Sequence, residues 1–136
     1  VEKIIVTKSQ TIDVVVDSIT KQSFQLTQSN NDGKLIEEGM VYGVIVHKVA
    51  QLTISPKNNA TVNETVRQKA YLELADGNRN VDVLSLPVYL LDPSLNSGTP
   101  FLFKPRKVNL SASKINVPSV TGLVLNEAFV ITFLYQ

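Results

Sequence analysis

Cysteine is absent from the 136-residue chain, so disulfides, thiolate catalysis and Cys-ligated metal are excluded and the fold must rest on packing. Tryptophan is absent too. The four Tyr and five Phe fall mostly in strand-like contexts, leaving few aromatics for a sugar-binding surface. An excess of one charge is also lacking: 13 Lys and Arg face 12 Asp and Glu, and a net charge of +1 gives no electrostatic reason for nucleic acid, anionic lipid or a polyacidic partner. No stretch reaches ~18 uninterrupted apolar residues, and the opening VEKIIVTKSQ lacks the basic, apolar, small-residue order of a signal peptide. A soluble chain with no transmembrane segment is expected, with Val1 in place of Met reflecting processing. Phosphate-cradling glycine loops, repeats and low-complexity tracts are missing as well.

What is present is β-forming. Charged residues make up 18% of the chain against a usual ~25%, so the surface is largely uncharged and polar, easier to desolvate than one rich in Lys and Glu. Residues 41–55 (VYGVIVHKVAQLTIS) form the longest apolar run, with β-branched residues at nearly every step. Tyr42, Val44 and Val46 alternate with Val41 and Ile45, so both faces of a strand here need cover. Fifteen extended residues would span roughly 50 Å, well beyond an ordinary strand, which predicts a bend or bulge near Gly43 or around Ala50 and Gln51. Pro56 ends the run.

Along the chain, residues 2–8 (EKIIVTK) and 11–17 (TIDVVVD) read as strands separated by Ser9 and Gln10, and residues 21–28 (KQSFQLTQ) as a half-buried strand. Asp32-Gly33 and Asp76-Gly77-Asn78 carry hairpin chemistry. Residues 58–76 are ambiguous. Thr61-Val62-Asn63-Glu64 resembles a capping box and Gly77 a helix stop, whereas Ala70, Leu72 and Leu74 alternate as in a strand, which is the favoured reading. Residues 81–91 hold one or two strands with Pro87 at an edge or bulge, and residues 92–100 make the longest loop. Short β candidates follow at 101–103, 107–111 and 114–117. The last piece, residues 128–135 (AFVITFLY), is apolar on both faces and is expected inside a sheet. Eight to ten short strands with at most one short helix predict an all-β fold, an antiparallel β-sandwich or a barrel, forming one domain over residues 1–136; two strongly β ends with the last strand buried suit a single jelly roll or other Greek-key sandwich better than an open meander.

Chemistry-bearing groupings are sparse. His47 is the only histidine and reads as a locally hydrogen-bonded side chain on a sheet face. No nucleophile-elbow motif accompanies it, and one His with scattered carboxylates makes no specific metal site. Glu37 and Glu38 point to opposite faces of a strand. Asp13 and Asp17 lie ~13 Å apart along one, too far for a shared-proton dyad, and the carboxylates read as solvated. The two Asp-Gly turns lack the spaced acidic ligands of a calcium loop. Lys104-Pro105-Arg106-Lys107 beside Phe101 and Phe103 has the composition that holds single-stranded nucleic acid, but reads as a solvated loop or a contact to an acidic neighbour subunit. Asn59, Asn63 and Asn109 begin glycosylation-type triplets that such a composition yields by chance. No catalytic, cofactor-binding or metal residue is assigned, and no cofactor is expected.

The short strands, the two Asp-Gly turns, the proline-broken LPVYLLDPSLNSGTPFLFKPRKV and the terminal AFVITFLYQ together resemble the small single jelly-roll proteins of icosahedral virions, the capsid and vertex (penton) subunits of tailless phages. The resemblance is one of overall pattern across most of the chain, and no diagnostic motif carries a functional residue over. It implies a non-enzymatic virion building block, assembled in the host cytoplasm, that forms a homo-oligomer such as a pentamer or packs beside other capsid subunits. The long basic arm that many capsid proteins use on genome is missing, so no direct nucleic acid contact is expected. The strands apolar on both faces point independently to neighbouring chains as cover. The alternative is a carbohydrate- or receptor-binding β-sandwich of a fibre or surface protein.

Overall fold

The computed structural model of the chain describes residues 8–26, 38–47, 61–76, 83–92 and 99–136. Eight strands among these form two four-stranded antiparallel sheets, and the all-β sandwich expected from the pattern is the fold. The strands are β1 (Lys8–Val15), β2 (Ser23–Gln25), β3 (Val41–Val46), β4 (Tyr71–Ala75), β5 (Val83–Pro87), β6 (Phe101–Arg106), β7 (Lys114–Asn116) and β8 (Ala128–Tyr135). The first sheet runs β1-β8-β3-β6 and the second β2-β7-β4-β5. First pairs with last, second with seventh, third with sixth and fourth with fifth, so the chain is one long antiparallel hairpin folded over into two layers.

Alternation in β8 builds much of the core. Phe129, Ile131, Phe133 and Tyr135 point inward against Ile12 and Val14 of β1 and Phe24, Leu72, Leu74 and Ile115 of the other sheet. β8 lies between β1 and β3, the internal position its two apolar faces predicted. The outer side differs from the expectation. Ala128 and Val130 are buried within the chain itself, so the apolar excess is narrower than the alternation implies. Asp13, opposite Val130 on that same outer side, is fully buried rather than solvated as predicted.

In β3 the ladder slips between Val41 and Gly43, where Tyr42 is the extra residue against β8 and the excess lies on β6 on the other side; this is one of the two places where excess length predicted a bulge. The slip lets Val41, Val44 and Val46 all reach the core while Gly43 and Ile45 turn outward. β3 stops at Val46; residues 48–60, which hold the rest of the predicted run and the Ala50–Gln51 alternative, lie outside the described residues.

Several local expectations are corrected. Ser9 and Gln10 are part of β1 and not a break before it, while residues 2–7 of the first predicted strand lie outside the described residues. Residues 61–76 are helix first and strand second: α1 (Glu64–Arg67) is capped by Asn63 rather than Thr61, ends at Gln68 rather than Gly77, and is followed by β4. Residues 88–91 form a 3-10 turn after Pro87, which closes the edge strand β5 as its missing N–H requires. Of the basic run expected in a loop, Lys104, Pro105 and Arg106 belong to β6, the other sheet's edge, where Pro105 is tolerated for the same reason, and Lys107 follows the strand. Residues 107–111 hold no strand but a single bridge, Val108 to Asp76, and a 3-10 turn (Leu110–Ala112) begun by Asn109, whose side chain accepts from the Ser111 N–H. The turn residues Asp32-Gly33 and Gly77-Asn78 lie outside the described residues, although Ala75 and Val83 do pair across the second turn.

Candidate functional site

Strand register gives the sandwich two distinct ends. Val15 pairs with Ala128, Ser23 and Tyr71 both pair with Asn116, Tyr71 pairs with Pro87, and Val44 pairs with Phe101. The described residues 16–22, 47, 61–70, 88–92, 99–100 and 117–127 therefore all adjoin one end, and the polar groups of greatest chemical interest gather there.

Arg67 is the centre of that group. Only 1% exposed, it is carried inward by α1, a helix too short to persist alone and held by the burial of Val62 and Val66. Its Nη1 donates to the carbonyl of His47 at 2.9 Å and its Nη2 to that of Val46 at 3.2 Å, closing the open end of β3. Its Nε lies 3.9 Å from Glu64 Oε2. Burial lowers its pKa, while the charges of Asp92 and Glu64 raise it, and guanidinium chemistry keeps the group charged. The neighbouring β7–β8 connection is tied on by Asn63, whose Oδ1 caps α1 at the Val66 N–H while its Nδ2 donates to the Gly122 carbonyl at 2.6 Å. Gly122 adopts φ +91°, in the region that favours glycine.

His47 extends the network across the outer face of the first sheet. Its Nε2 lies 2.7 Å from Thr132 Oγ1, which lies 2.7 Å from Thr11 Oγ1, so one chain of hydroxyls joins β3, β8 and β1. Burial, then the charge of Arg67, holds the imidazole below its ordinary 6.5, so it is neutral at pH 7. This matches the locally bonded histidine expected from sequence. A neutral imidazole beside a hydroxyl is half of a nucleophile–base pair, yet Thr132 is engaged by a second hydroxyl and Arg67 presents a cation where such a base would want a carboxylate. The arrangement performs as a clamp between strands.

The other candidates separate. Asp17 is exposed and pairs with Lys21 at 3.2 Å, far from the buried Asp13. Among the described residues no group of three His, Cys, Asp or Glu could share a metal ion. Phe101 and Phe103 pack against the core, which removes them as stacking platforms for the bases of a nucleic acid beside Lys104 and Lys107. Asn63 is engaged through both side-chain atoms, and Asn109 Oδ1 accepts from Ser111. At the opposite end, Lys8, Glu38, Gly39, Tyr135 and Gln136 line an open hollow of about 290 Å³. Arg67 is the residue sequence reasoning passed over, and Asn63 was read only inside a capping box begun by Thr61 and as a glycosylation-type triplet; an arginine four places after an asparagine, beside the apolar Val62 and Val66, was the available signal. No helix among the described residues is long and apolar enough to cross a membrane.

Apolar exposure is the remaining feature. On the outer face of the first sheet, Leu102 of the edge strand β6 is 60% exposed beside the partly buried Leu134, with only Gly43 between their strands. At the polar end, Ile19, Tyr89, Leu90, Val124 and Leu125 are each 42% to 51% exposed. No family model, characterised protein or solved structure matches the chain.

Proposed function

We propose that this chain is a non-enzymatic structural subunit of a symmetric assembly, a capsid or vertex (penton) protein of a virion, packing beside copies of itself and other capsid chains. The nested first-to-last pairing supports reading the sandwich as a single jelly roll, a winding that serves viral capsids, lectins and cupins alike. What favours assembly among these is the surplus of half-exposed leucine, isoleucine and valine side chains on a molecule with a net charge of +1. The buried polar groups support the same reading, since they tie strands together instead of converging on a ligand. Light scattering on the purified chain at micromolar concentration tests the proposal: a discrete oligomer is expected, and a strict monomer at every concentration and salt overturns it.

Tyr71 and Tyr89, both exposed on adjoining stretches, favour the second reading, a carbohydrate- or receptor-binding module. Saturable glycan-array binding that is lost in Tyr89→Ala would support that reading over the first.

A further inference from the structure

We infer that His47 and Arg67 form a proton-operated latch: a proton on the imidazole sets a second cation against the buried guanidinium and lowers the cost of opening residues 61–70, which carry α1, away from the end of β3. The latch works in the same way whatever the chain binds. His47 is fixed through its backbone, since its N–H donates to the Val130 carbonyl at 2.9 Å and Val46 before it pairs with Ile131 of β8. The same residue receives the cation and carries the titratable ring. Its carbonyl accepts from Arg67 Nη1 at 2.9 Å, while its Nε2 lies 2.7 Å from Thr132 Oγ1, whose other neighbour is Thr11 Oγ1 at 2.7 Å. Arg67 is 1% exposed and also bonded to the Val46 carbonyl, so it cannot step aside from a charged imidazole without giving up both strand carbonyls.

The helical turn is the side that yields. Three backbone hydrogen bonds tie residues 63–69 to one another, from Arg67 to Asn63, Gln68 to Glu64 and Lys69 to Val66, and a single turn so held does not persist alone. Its outside ties are the Val62 N–H on the Ala128 carbonyl at 3.0 Å, Asn63 on the Gly122 carbonyl at 2.6 Å, the burial of Val62 and Val66, and the Arg67 guanidinium on β3. β3, by contrast, is bonded on both sides, to β6 and β8. Local opening is cheapest where the fewest contacts break together, so repulsion between the two groups is relieved through the turn and not through the strand.

The surrounding charges set the sign. From α1 come Arg67 and Glu64, from the residue after the 3-10 turn Asp92, and from β1 Asp13, in register with Val130. Glu64 and Asp92 act on the guanidinium, whereas the imidazole answers first to its burial and then to Arg67, both opposing protonation. β8 brings the Thr132 hydroxyl, and β6 begins opposite Val44, short of the ring. Residues 48–60, outside the described set, add two cations, Lys48 and Lys57, and no acid. When the turn opens the guanidinium leaves, and the ring returns toward its ordinary 6.5. The open form therefore takes up a proton that the closed form refuses: opening is favoured as pH falls through 6.5 and levels off once the closed form is protonated too.

Amide hydrogen exchange on the full chain, followed by NMR between pH 7.5 and 5 and corrected for the intrinsic pH dependence of exchange, tests the latch. The protection of the Arg67, Gln68 and Lys69 amides is expected to fall at least about threefold relative to Leu72 and Ile131 in the two sheets, with a midpoint that follows the His47 ring signals. His47→Gln, which keeps a polar side chain but no titrating one, is expected to remove the fall. If that variant does not fold, the coincidence of the two midpoints in the parent chain decides. Equal losses in turn and sheets, or no loss in the turn, overturn the inference. So does a change confined to the signals of His47, Thr132 and Thr11, which would mean that the ring swings aside and the turn stays shut. Glu127, whose carboxyl burial raises above 4.5, titrates toward the lower end of this range. A fall that survives in His47→Gln and vanishes in Glu127→Gln assigns the opening to that carboxylate and overturns the inference as well.

Discussion

Arg67 places a permanent charge where almost no water reaches, and the carbonyls of Val46 and His47 repay that by taking two of its hydrogen bonds. Arg67→Met keeps the volume but leaves both carbonyls unanswered, and is expected to cost about 3 kcal/mol in urea denaturation. His47 acts with the opposite protonation logic. Its folded pKa lies below 6.5, so as pH falls through that value the unfolded chain takes up a proton that the folded chain refuses. Stability is full above 6.5, declines as pH drops below it, and levels off once the folded imidazole is protonated too. Urea midpoints between pH 7.5 and 5 should therefore fall in the parent chain and fall less in His47→Gln. As the only histidine, His47 can be titrated directly by NMR. Burial raises the Glu127 carboxyl above its ordinary 4.5, so that group withholds stability above 4.5 and opposes the His47 trend, which is why the His47 variant is the proper control. The local bonding of His47 was legible because a lone polar residue in an apolar strand must find a neighbour. The burial of Asp13 was not, since its own strand alternation places it on the outer face.

At the level of elements, α1 is a single turn stabilised from outside itself. Asn63→Ala removes the cap and the tie to Gly122 together, and a loss of about 1–2 kcal/mol is expected in the same denaturation measurement. Two glycines allow close approach to different degrees. A Cβ on Gly39 would meet the largely buried Tyr135 ring at 2.6 Å and the Gln136 carbonyl oxygen at 3.1 Å, whereas the nearest atoms to one on Gly43 are the ends of Leu102 and Leu134 at 3.0 and 3.1 Å. Gly39→Ala should therefore destabilise the fold more than Gly43→Ala, the first by about 1–3 kcal/mol of overpacking and the second by less, read from urea denaturation. Elements with a strong internal signature were readable: β8 from its two apolar faces, the β3 bulge from excess length, and Pro87 from what a ladder forbids, whereas Pro105 was read into a loop and lies in the edge strand β6. Residues 61–76 were posed as helix or strand when the chain does one and then the other within a dozen residues. Residues 107–111 had the β composition, but the Asn109 side chain takes the Ser111 N–H and turns the backbone into a 3-10 turn.

For the molecule as a whole, the pairing of first strand with last brings together residues as far apart as Thr11 and Thr132, 121 positions along the chain. Folding must close that separation before the first sheet is complete, so refolding in stopped-flow fluorescence or circular dichroism is expected in the millisecond-to-second range. The sandwich class was legible from strand count and apolar faces, whereas the partner of each strand was not, because each strand advertises its own faces and says nothing of which distant strand it will lie beside. The same pairing has a practical side. Lys8 lies opposite Tyr135, and Gln136 exchanges backbone hydrogen bonds with Met40, at the end remote from Ile19 and Leu125. An affinity handle, fluorophore or cargo domain fused after Gln136 would leave from the end of the sandwich opposite the Ile19 and Leu125 connections, clear of the Arg67 and His47 network.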